Sequence, residues 1–366
     1  MLGKNIRFYR LKNNLSMREL ASKINISPMT ISYYERDSRN PGIETLRALA
    51  GALGVKISDF LKDHGTKLVF AHGEFRKNTR LTQTRQEYIR GAVEEYFGRF
   101  FEAVNVLGNK ILEDCPPLHS IPLSNDDEKN AEALRHYLNV QLHGPVGNIV
   151  ESLEYQGILV FSLNIKEDDF SGMNGTVNGR PYIVFRSGMN AERVRSTIIH
   201  EAAHFVFDWP SDMPEKECEN RATAISGAFL FPAADAVKEL GQKRSRVTHD
   251  MLSICREYGI SMYLLVKRAS ICEILGESAA KDFYVRASSA KWRKGGEPER
   301  IVKEEPSLFR RLVYRAVCEG SISIQKGAEL LQESYDSVKL QCSAAVGGLY
   351  GVCMQRGKHL GGLLEI

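Results

Sequence analysis

The sequence predicts an α+β protein in three parts: an all-α bundle, a mainly helical domain with a small sheet, and a helical C-terminal region. Helical spacing of apolar residues and helix caps recur from residue 6 to residue 53 and again from residue 191 onward. Two short segments in between, 158–163 and 181–186, have the composition of strands. Tight turns are expected between them, at 168–172 and 174–175.

The composition is that of a globular protein without a membrane segment. The chain has 366 residues, of which 43% are hydrophobic and 26% are charged. No apolar run approaches the length of a membrane span, and the first 20 residues lack the apolar core of a signal peptide. The 7 cysteines form no C-x-x-C pair, which favours reduced thiols. We therefore expect a cytoplasmic protein with no membrane partner.

The first sixty residues contain the signals of two short helices joined by a tight turn. Ser16 and Glu19 have the spacing of a capping box at the start of one helix. Ser27 caps the next helix, where Pro28 occupies the first position, and this helix runs to about Arg36. Together with flanking amphipathic segments, this pattern predicts an all-α helix-turn-helix bundle over residues 1–63.

Charge is concentrated in the same segment. Residues 1–63 contain 11 Lys and Arg against 6 Asp and Glu, whereas the whole chain has a net charge of only +4. The remaining residues are therefore close to neutral. A basic module of this kind indicates a polyanionic partner, and double-stranded DNA is the partner expected of a helix-turn-helix.

Residues 1–63 resemble the XRE-type helix-turn-helix regulators, the family of phage repressors and Cro proteins. The residues that carry the resemblance are Ile6-Arg7, Leu11, Leu15-Ser16, Glu19-Leu20-Ala21, Ile26-Ser27, Ile31-Ser32, Glu35, Pro41, Leu46, Leu49-Ala50, Leu53 and Phe60. The resemblance implies that residues 28–36 form the recognition helix. The side chains implied to contact an operator are Ser27, Pro28, Met29, Thr30, Ser32, Tyr33, Arg36 and Arg10. For Arg10, an ion pair with Glu35 inside the bundle is the alternative.

The most informative motif of the chain is His200-Glu201-Ala202-Ala203-His204, which reads H-E-x-x-H. No Pro or Gly interrupts residues 191–207, so this segment is predicted to be helical. Residues four apart lie on one face of a helix, so both imidazoles could bind one Zn²⁺, with Glu201 beside them as general base. The alternative is a helix that carries two ordinary histidines.

A zinc site of this kind needs a third protein ligand. The candidates are Asp208, Asp212, Glu215, Glu217, Glu219 and His249. Glu219 is the best placed, because Ala222 and Ser226 follow on its face of a predicted helix at 214–229. Small side chains there allow close approach to the H-E-x-x-H helix, whereas the surroundings of Glu217 are more polar.

Residues 138–232 resemble the ImmA/IrrE-type zinc metallopeptidases. The matching motifs are Gly144-Pro145-Val146, Leu153-Glu154-Tyr155-Gln156-Gly157-Ile158, Phe170-Ser171-Gly172, Arg193-Val194-Arg195, the H-E-x-x-H segment, and Glu219 with Ala222 and Phe229-Leu230-Phe231-Pro232. The resemblance implies a zincin-like domain in which Glu219 is the third zinc ligand. Thr223 stands where this family usually has Asn.

These features lead to two hypotheses about function. The first is a DNA-binding regulator with a zinc-dependent endopeptidase domain that cleaves a repressor or antitoxin, for example one of a phage or mobile element. The second is a non-proteolytic repressor or antitoxin whose zincin-like domain senses or binds a partner, with the metal site vestigial or structural. Retention of Glu201 favours the first, because binding alone does not need that carboxylate.

The expected domain boundaries follow from these assignments. They are 1–63 for DNA binding, 64–127 for a helical connector, 128–240 for the metallopeptidase-like domain, 241–340 for the helical C-terminal region and 341–366 for a flexible tail. The connector contains an aromatic stripe within 83–112 that indicates packing or a dimer surface, which leaves a homodimer open. A second helix-turn-helix-like spacing occurs in 247–275, where an apolar second helix indicates packing rather than DNA contact.

Overall fold

The computed structural model describes residues 2–62, 67–73, 81–166, 169–292, 297–298 and 300–343. These residues divide into two compact units. The first unit comprises the described residues up to 95 together with 113–306, and the second comprises 96–112 and 307–343. Within the described ranges, no helix is both long enough and apolar enough to cross a membrane.

The predicted N-terminal bundle is present in the first unit. Its helices are α1 (Leu2–Lys12), α2 (Met17–Lys23), α3 (Pro28–Glu35), α4 (Ile43–Leu53) and α5 (Ile57–Phe60). Both halves of the capping box of Ser16 and Glu19 form, and the Ser27 hydroxyl accepts a hydrogen bond from the Thr30 amide. Asn25 occupies the turn with a left-handed φ of 57°. Local sequence signals therefore suffice to place the starts of α2 and α3.

The strands of a four-stranded sheet follow the bundle along the chain and precede the H-E-x-x-H motif. Its strands are β1 (Phe70–His72), β3 (Leu159–Leu163), β4 (Gly172–Val177) and β5 (Arg180–Arg186), in the order β1-β4-β5-β3. Strand β3 is parallel to β5, whereas β4 is antiparallel to both β1 and β5. Strand β1 lies in the segment 64–127, which the sequence predicts to be a helical connector, so that prediction is wrong at these residues.

The predicted tight turn at Asn174–Gly175 is also wrong. These two residues lie inside β4, and the hairpin turns instead at Asn178–Gly179, where φ is 50° and 78°. Both dipeptides are Asn-Gly, so turn chemistry alone does not distinguish them. Gly175 is needed within the strand because a Cβ there would lie 2.4 Å from the hydroxyl of Tyr182.

The first unit also contains helices outside the bundle. They are α6 (Gln83–Leu107, which contributes to both units), α7 (Asp127–Tyr137), α8 (Ile149–Tyr155), α9 (Ala191–Val206), α10 (Glu215–Leu230), α11 (Ala233–Leu240), α12 (Met251–Tyr258), α13 (Met262–Ile271) and α14 (Glu277–Ser289). A parallel pair in this unit joins β2 (Ile121–Pro122) to β6 (Phe207–Asp208), whereas a short 3-10 turn at Asn109–Ile111 belongs to the second unit. Helix α9 packs on β4, β5 and α10, so the H-E-x-x-H motif lies on a helix fixed from two sides.

The second unit is helical, as the sequence predicts for the C-terminal region. The end of α6 packs with α15 (Leu308–Cys318), where the rings of Phe100 and Phe309 lie 5.7 Å apart. Two further helices follow, α16 (Ile324–Leu331) and α17 (Tyr335–Gln341). The predicted flexible tail at 341–366 falls, from residue 344 onward, outside the described residues.

One helix-turn-helix spacing occurs three times in the described chain. In each case a residue with positive φ follows the first N-cap at the ninth position, and the second N-cap follows two positions after that residue. The three sets are Ser16, Asn25 and Ser27; Asp250, Gly259 and Ser261; and Ser323, Gln332 and Ser334. In the middle set, the second helix buries Leu265 and Val266, so it serves packing as predicted.

Candidate metal centre and DNA-binding surface

The two histidines of the H-E-x-x-H motif lie on one face of α9. Their Nε2 atoms are 3.2 Å apart. Helix α10 brings Glu219 against them, with one carboxylate oxygen 3.3 Å from Nε2 of His200 and the other 3.3 Å from Nε2 of His204. Ala222 and Ser226 are buried on the same helix, and their small side chains permit this close packing, as the sequence predicts.

The donor set fits zinc in its chemistry, and the two imidazoles also have the separation of zinc ligands. Two imidazole nitrogens and a carboxylate are ordinary zinc ligands, and bond lengths of about 2.0–2.1 Å place tetrahedral ligands about 3.3–3.4 Å apart. The 3.2 Å between the two Nε2 atoms matches that spacing. The two 3.3 Å separations involve different oxygens of the Glu219 carboxylate, and with one ligand atom taken from each residue the three atoms lie within 4.8 Å of one another. Among the described residues, the possible metal-binding group comprises His200, His204 and Glu219. The other candidates for the third ligand, Asp208, Asp212, Glu215, Glu217 and His249, are not part of it.

Thr223 contacts the far side of the first histidine. Its hydroxyl donates a hydrogen bond to the backbone oxygen of Glu219 at 2.8 Å, and its oxygen lies 3.3 Å from Nδ1 of His200. With its proton given to the carbonyl, the hydroxyl accepts from Nδ1–H of the imidazole. This arrangement favours the tautomer in which Nε2 is free to bind a metal. The sequence marks Thr223 only as a departure from the ImmA/IrrE pattern.

Glu201 lies between α9 and the sheet. Its side chain is buried, and its Oε2 accepts a hydrogen bond of 2.8 Å from the side-chain amide of Asn174 on β4. A Cβ at Gly172 would lie 3.3 Å from Cγ of Glu201, so β4 closely approaches the carboxylate. Sequence reasoning misses Asn174, because it assigns that residue to a turn.

The implied recognition helix presents an accessible surface. Met29 and Tyr33 on α3 are 60% and 44% exposed, although both are large hydrophobic residues. Ser27, Pro28 and Arg36 are also exposed, and Thr30 and Ser32 are half-buried. The inner face of α3 buries Ile31 and Tyr34 in the bundle. The helix thus separates a packing face from a face available to a partner.

Arg10 does not share this surface. Its guanidinium forms two bonds with the Glu35 carboxylate, of 2.5 and 2.8 Å, and a third bond with the Leu15 carbonyl. Only 4% of Arg10 is exposed. The implied DNA contact of Arg10 is therefore corrected to the alternative reading, a buried ion pair that ties α1 to the end of α3.

Comparisons with known proteins support the assignment of both regions. A helix-turn-helix family model matches residues 6–60, and a model described as the IrrE N-terminal-like domain matches residues 153–270. The immunity repressor protein of Bacillus phage phi105 is 33% identical over 101 residues, which cover 27% of this chain and 69% of the phage protein. The protein belongs to the XRE-type helix-turn-helix family and carries an ImmA/IrrE-like domain. It is a DNA-binding regulator with a peptidase-family domain.

A second repressor is similar to this regulator. The cryptic phage CTXphi transcriptional repressor RstR of Vibrio cholerae is 31% identical over 68 residues, or 19% of this chain and 61% of that protein. Both similarities thus cover less than a third of this chain.

Proposed function

We propose that this regulator is a zinc-dependent endopeptidase that cleaves a partner protein, a repressor or antitoxin. The observation that carries the proposal is the placement of Glu201 beside three side chains of zinc-ligand chemistry, whose donor atoms lie within 4.8 Å of one another. His200, His204 and Glu219 would hold the ion, which leaves a fourth position open for water or substrate.

The chemistry is metal-assisted hydrolysis of a peptide bond. When bound there, zinc would supply polarisation of the scissile carbonyl and a lowered pKa for water. Glu201 accepts a proton from the attacking water and passes it to the leaving amine. Asn174 holds the carboxylate of Glu201 in place through Oε2, which leaves Oε1 for the proton. Thr223 orients His200 through Nδ1.

We further propose that α3 reads operator DNA and that this binding represses transcription. One relative is named an immunity repressor and the other a transcriptional repressor. Ser27, Pro28, Met29, Thr30, Ser32, Tyr33 and Arg36 are the contacts we assign. Exposed apolar side chains suit thymine methyl groups, and the exposed guanidinium suits a phosphate.

The experiment compares the wild-type chain with Glu201→Gln, which preserves the shape of the side chain and an oxygen for Asn174. Each protein is loaded with one equivalent of zinc, and its zinc content is measured. Each is then mixed with β-casein and, separately, with repressor or antitoxin proteins encoded beside it. Cleavage by the wild type that is lost in Glu201→Gln, at equal zinc content, supports the endopeptidase. Intact targets in both mixtures would favour a non-proteolytic repressor whose zincin-like domain senses or binds a partner.

A further inference from the structure

Strand β4 borders the candidate active site along part of its length. Asn174 reaches Glu201 through its side chain, and the backbone at Gly172 packs against the same carboxylate. One edge of β4 is paired with β5. An extended peptide added to the other edge would run past Glu201, since strand addition uses main-chain hydrogen bonds at a sheet edge.

The chain itself occupies that other edge. Strand β1 pairs antiparallel with β4, with Ala71 opposite Thr176. The pairing continues to Gly73, whose amide donates a bond of 2.8 Å to the carbonyl of Asn174. Asn174 therefore holds β1 through its backbone and Glu201 through its side chain. The approach is close, because a Cβ at Gly73 would lie 2.6 Å from the Asn174 carbonyl oxygen.

His72 fixes this short strand to its surroundings. Its Nδ1 lies 2.5 Å from the hydroxyl of Tyr182, and its Nε2 lies 3.3 Å from the carboxylate of Glu94. Glu94 also forms an ion pair of 2.7 Å with Lys4, on α1 of the helix-turn-helix bundle. The strand is three residues long and has an exposed centre at Ala71, so little apolar burial holds it in place.

We propose that β1 is an internal competitor for the substrate edge of β4, and that a protein substrate binds as an extended strand by displacing it. The proposal rests on the endopeptidase function above and adds its regulation. Because His72 and Glu94 connect β1 to Lys4, the helix-turn-helix bundle contributes to holding the competitor in place.

Loosening β1 should increase peptidase activity. In the register with β4, the amides of Val69, Ala71 and Gly73 point toward that strand. Ala71→Pro removes the central donor, and the ring disfavours pairing, whereas Ala71→Thr keeps the donor and suits a strand. We expect zinc-loaded Ala71→Pro to cleave β-casein about tenfold faster than the wild type at low substrate concentration, equivalent to about 1.4 kcal/mol. We expect Ala71→Thr to be no faster than the wild type.

Locking β1 should have the opposite effect. Antiparallel partners of this kind have Cα atoms about 5.5 Å apart, within the range that a disulfide spans. The double variant Ala71→Cys with Thr176→Cys is oxidised with glutathione disulfide, which leaves two molecules of glutathione, and is then reduced with a phosphine. Cleavage should fall at least tenfold on oxidation and return on reduction. Each single-cysteine variant should be unaffected by either treatment.

A measurement without catalysis separates this inference from the proposed function. Zinc-loaded Glu201→Gln is saturated with β-casein peptides, and amide hydrogen exchange is followed at residues 70–73. Faster exchange on peptide binding supports displacement of β1, and unchanged exchange overturns it even if the wild type is an active peptidase. Equal cleavage by the wild type, Ala71→Pro and the oxidised double variant also overturns the inference. Absence of both peptide binding and Glu201-dependent cleavage would refute the endopeptidase and the inference together.

Discussion

Thr223 provides a direct test of how the metal site is built. The perturbation is Thr223→Val, which keeps the size of the side chain and removes the hydroxyl that lies 3.3 Å from Nδ1 of His200. Loss of a partner behind a metal ligand usually lowers metal affinity about 10–100-fold. The 3.3 Å separation is long for a hydrogen bond, and Thr223 is exposed to water, so we expect the lower end of this range. The expected loss is about tenfold in zinc affinity, or about 1.4 kcal/mol.

The assay is zinc competition against a chromogenic chelator at a single pH, because zinc affinity depends on protonation of the ligands. Thr223→Ser retains the hydroxyl, and its zinc affinity should remain within about twofold of that of the wild type. A twofold change corresponds to less than about 0.5 kcal/mol of binding free energy. Circular dichroism before zinc addition checks that α10 is intact in each variant. If Thr223→Val and Thr223→Ser bind zinc equally well, the hydroxyl does not orient His200 and the reasoning is refuted.

Three further predictions concern stability and DNA binding. Arg10→Met leaves the Glu35 carboxylate buried without its partner and should lower the free energy of unfolding by about 3–5 kcal/mol. The double variant Arg10→Met with Glu35→Leu removes the unpaired charge and should recover much of the lost stability. Urea titrations measure both effects. Burial opposes ionisation of Glu94, but bonds from His72 and Lys4 outweigh it and lower its pKa to about 2. The stability that Glu94 contributes is therefore present above its ordinary pKa of 4.5 and is lost as pH falls toward 2. The difference in unfolding free energy between the wild type and Glu94→Gln should shrink over that window. A difference that stays constant with pH would contradict this prediction. Arg36→Gln should reduce the slope of log operator affinity against log salt concentration by about 0.9, and an unchanged slope would remove Arg36 from the phosphate contacts.

The sequence was sufficient to predict features that depend on residues close together along the chain. The four-residue spacing of His200 and His204 places both imidazoles on one helical face, whatever surrounds the helix. Ser27 and Pro28 likewise specify the start of α3 through its first-turn amides. Small residues after Glu219 pointed correctly to the helix that approaches α9, because close packing requires them wherever two helices meet.

The sequence failed where a residue's role depends on a distant partner. Asn174-Gly175 and Asn178-Gly179 carry the same turn signal, and only the packing of Tyr182 against Gly175 decides which dipeptide is in the strand. Residues 70–72 are too few to show an alternating strand pattern, and they form β1 by pairing with β4, about 100 residues later.

By itself, then, the sequence determined the chemical groups of this protein and the helices that carry them, because caps and helical periodicity act within one or two turns. Tertiary structure decided what those groups touch. It placed Arg10 on Glu35 inside the bundle, Thr223 behind His200 and Asn174 on Glu201, and it laid β1 along the edge of β4. These contacts join residues from 23 to more than 100 positions apart, and such pairings depend on the packing of the whole domain rather than on local propensity.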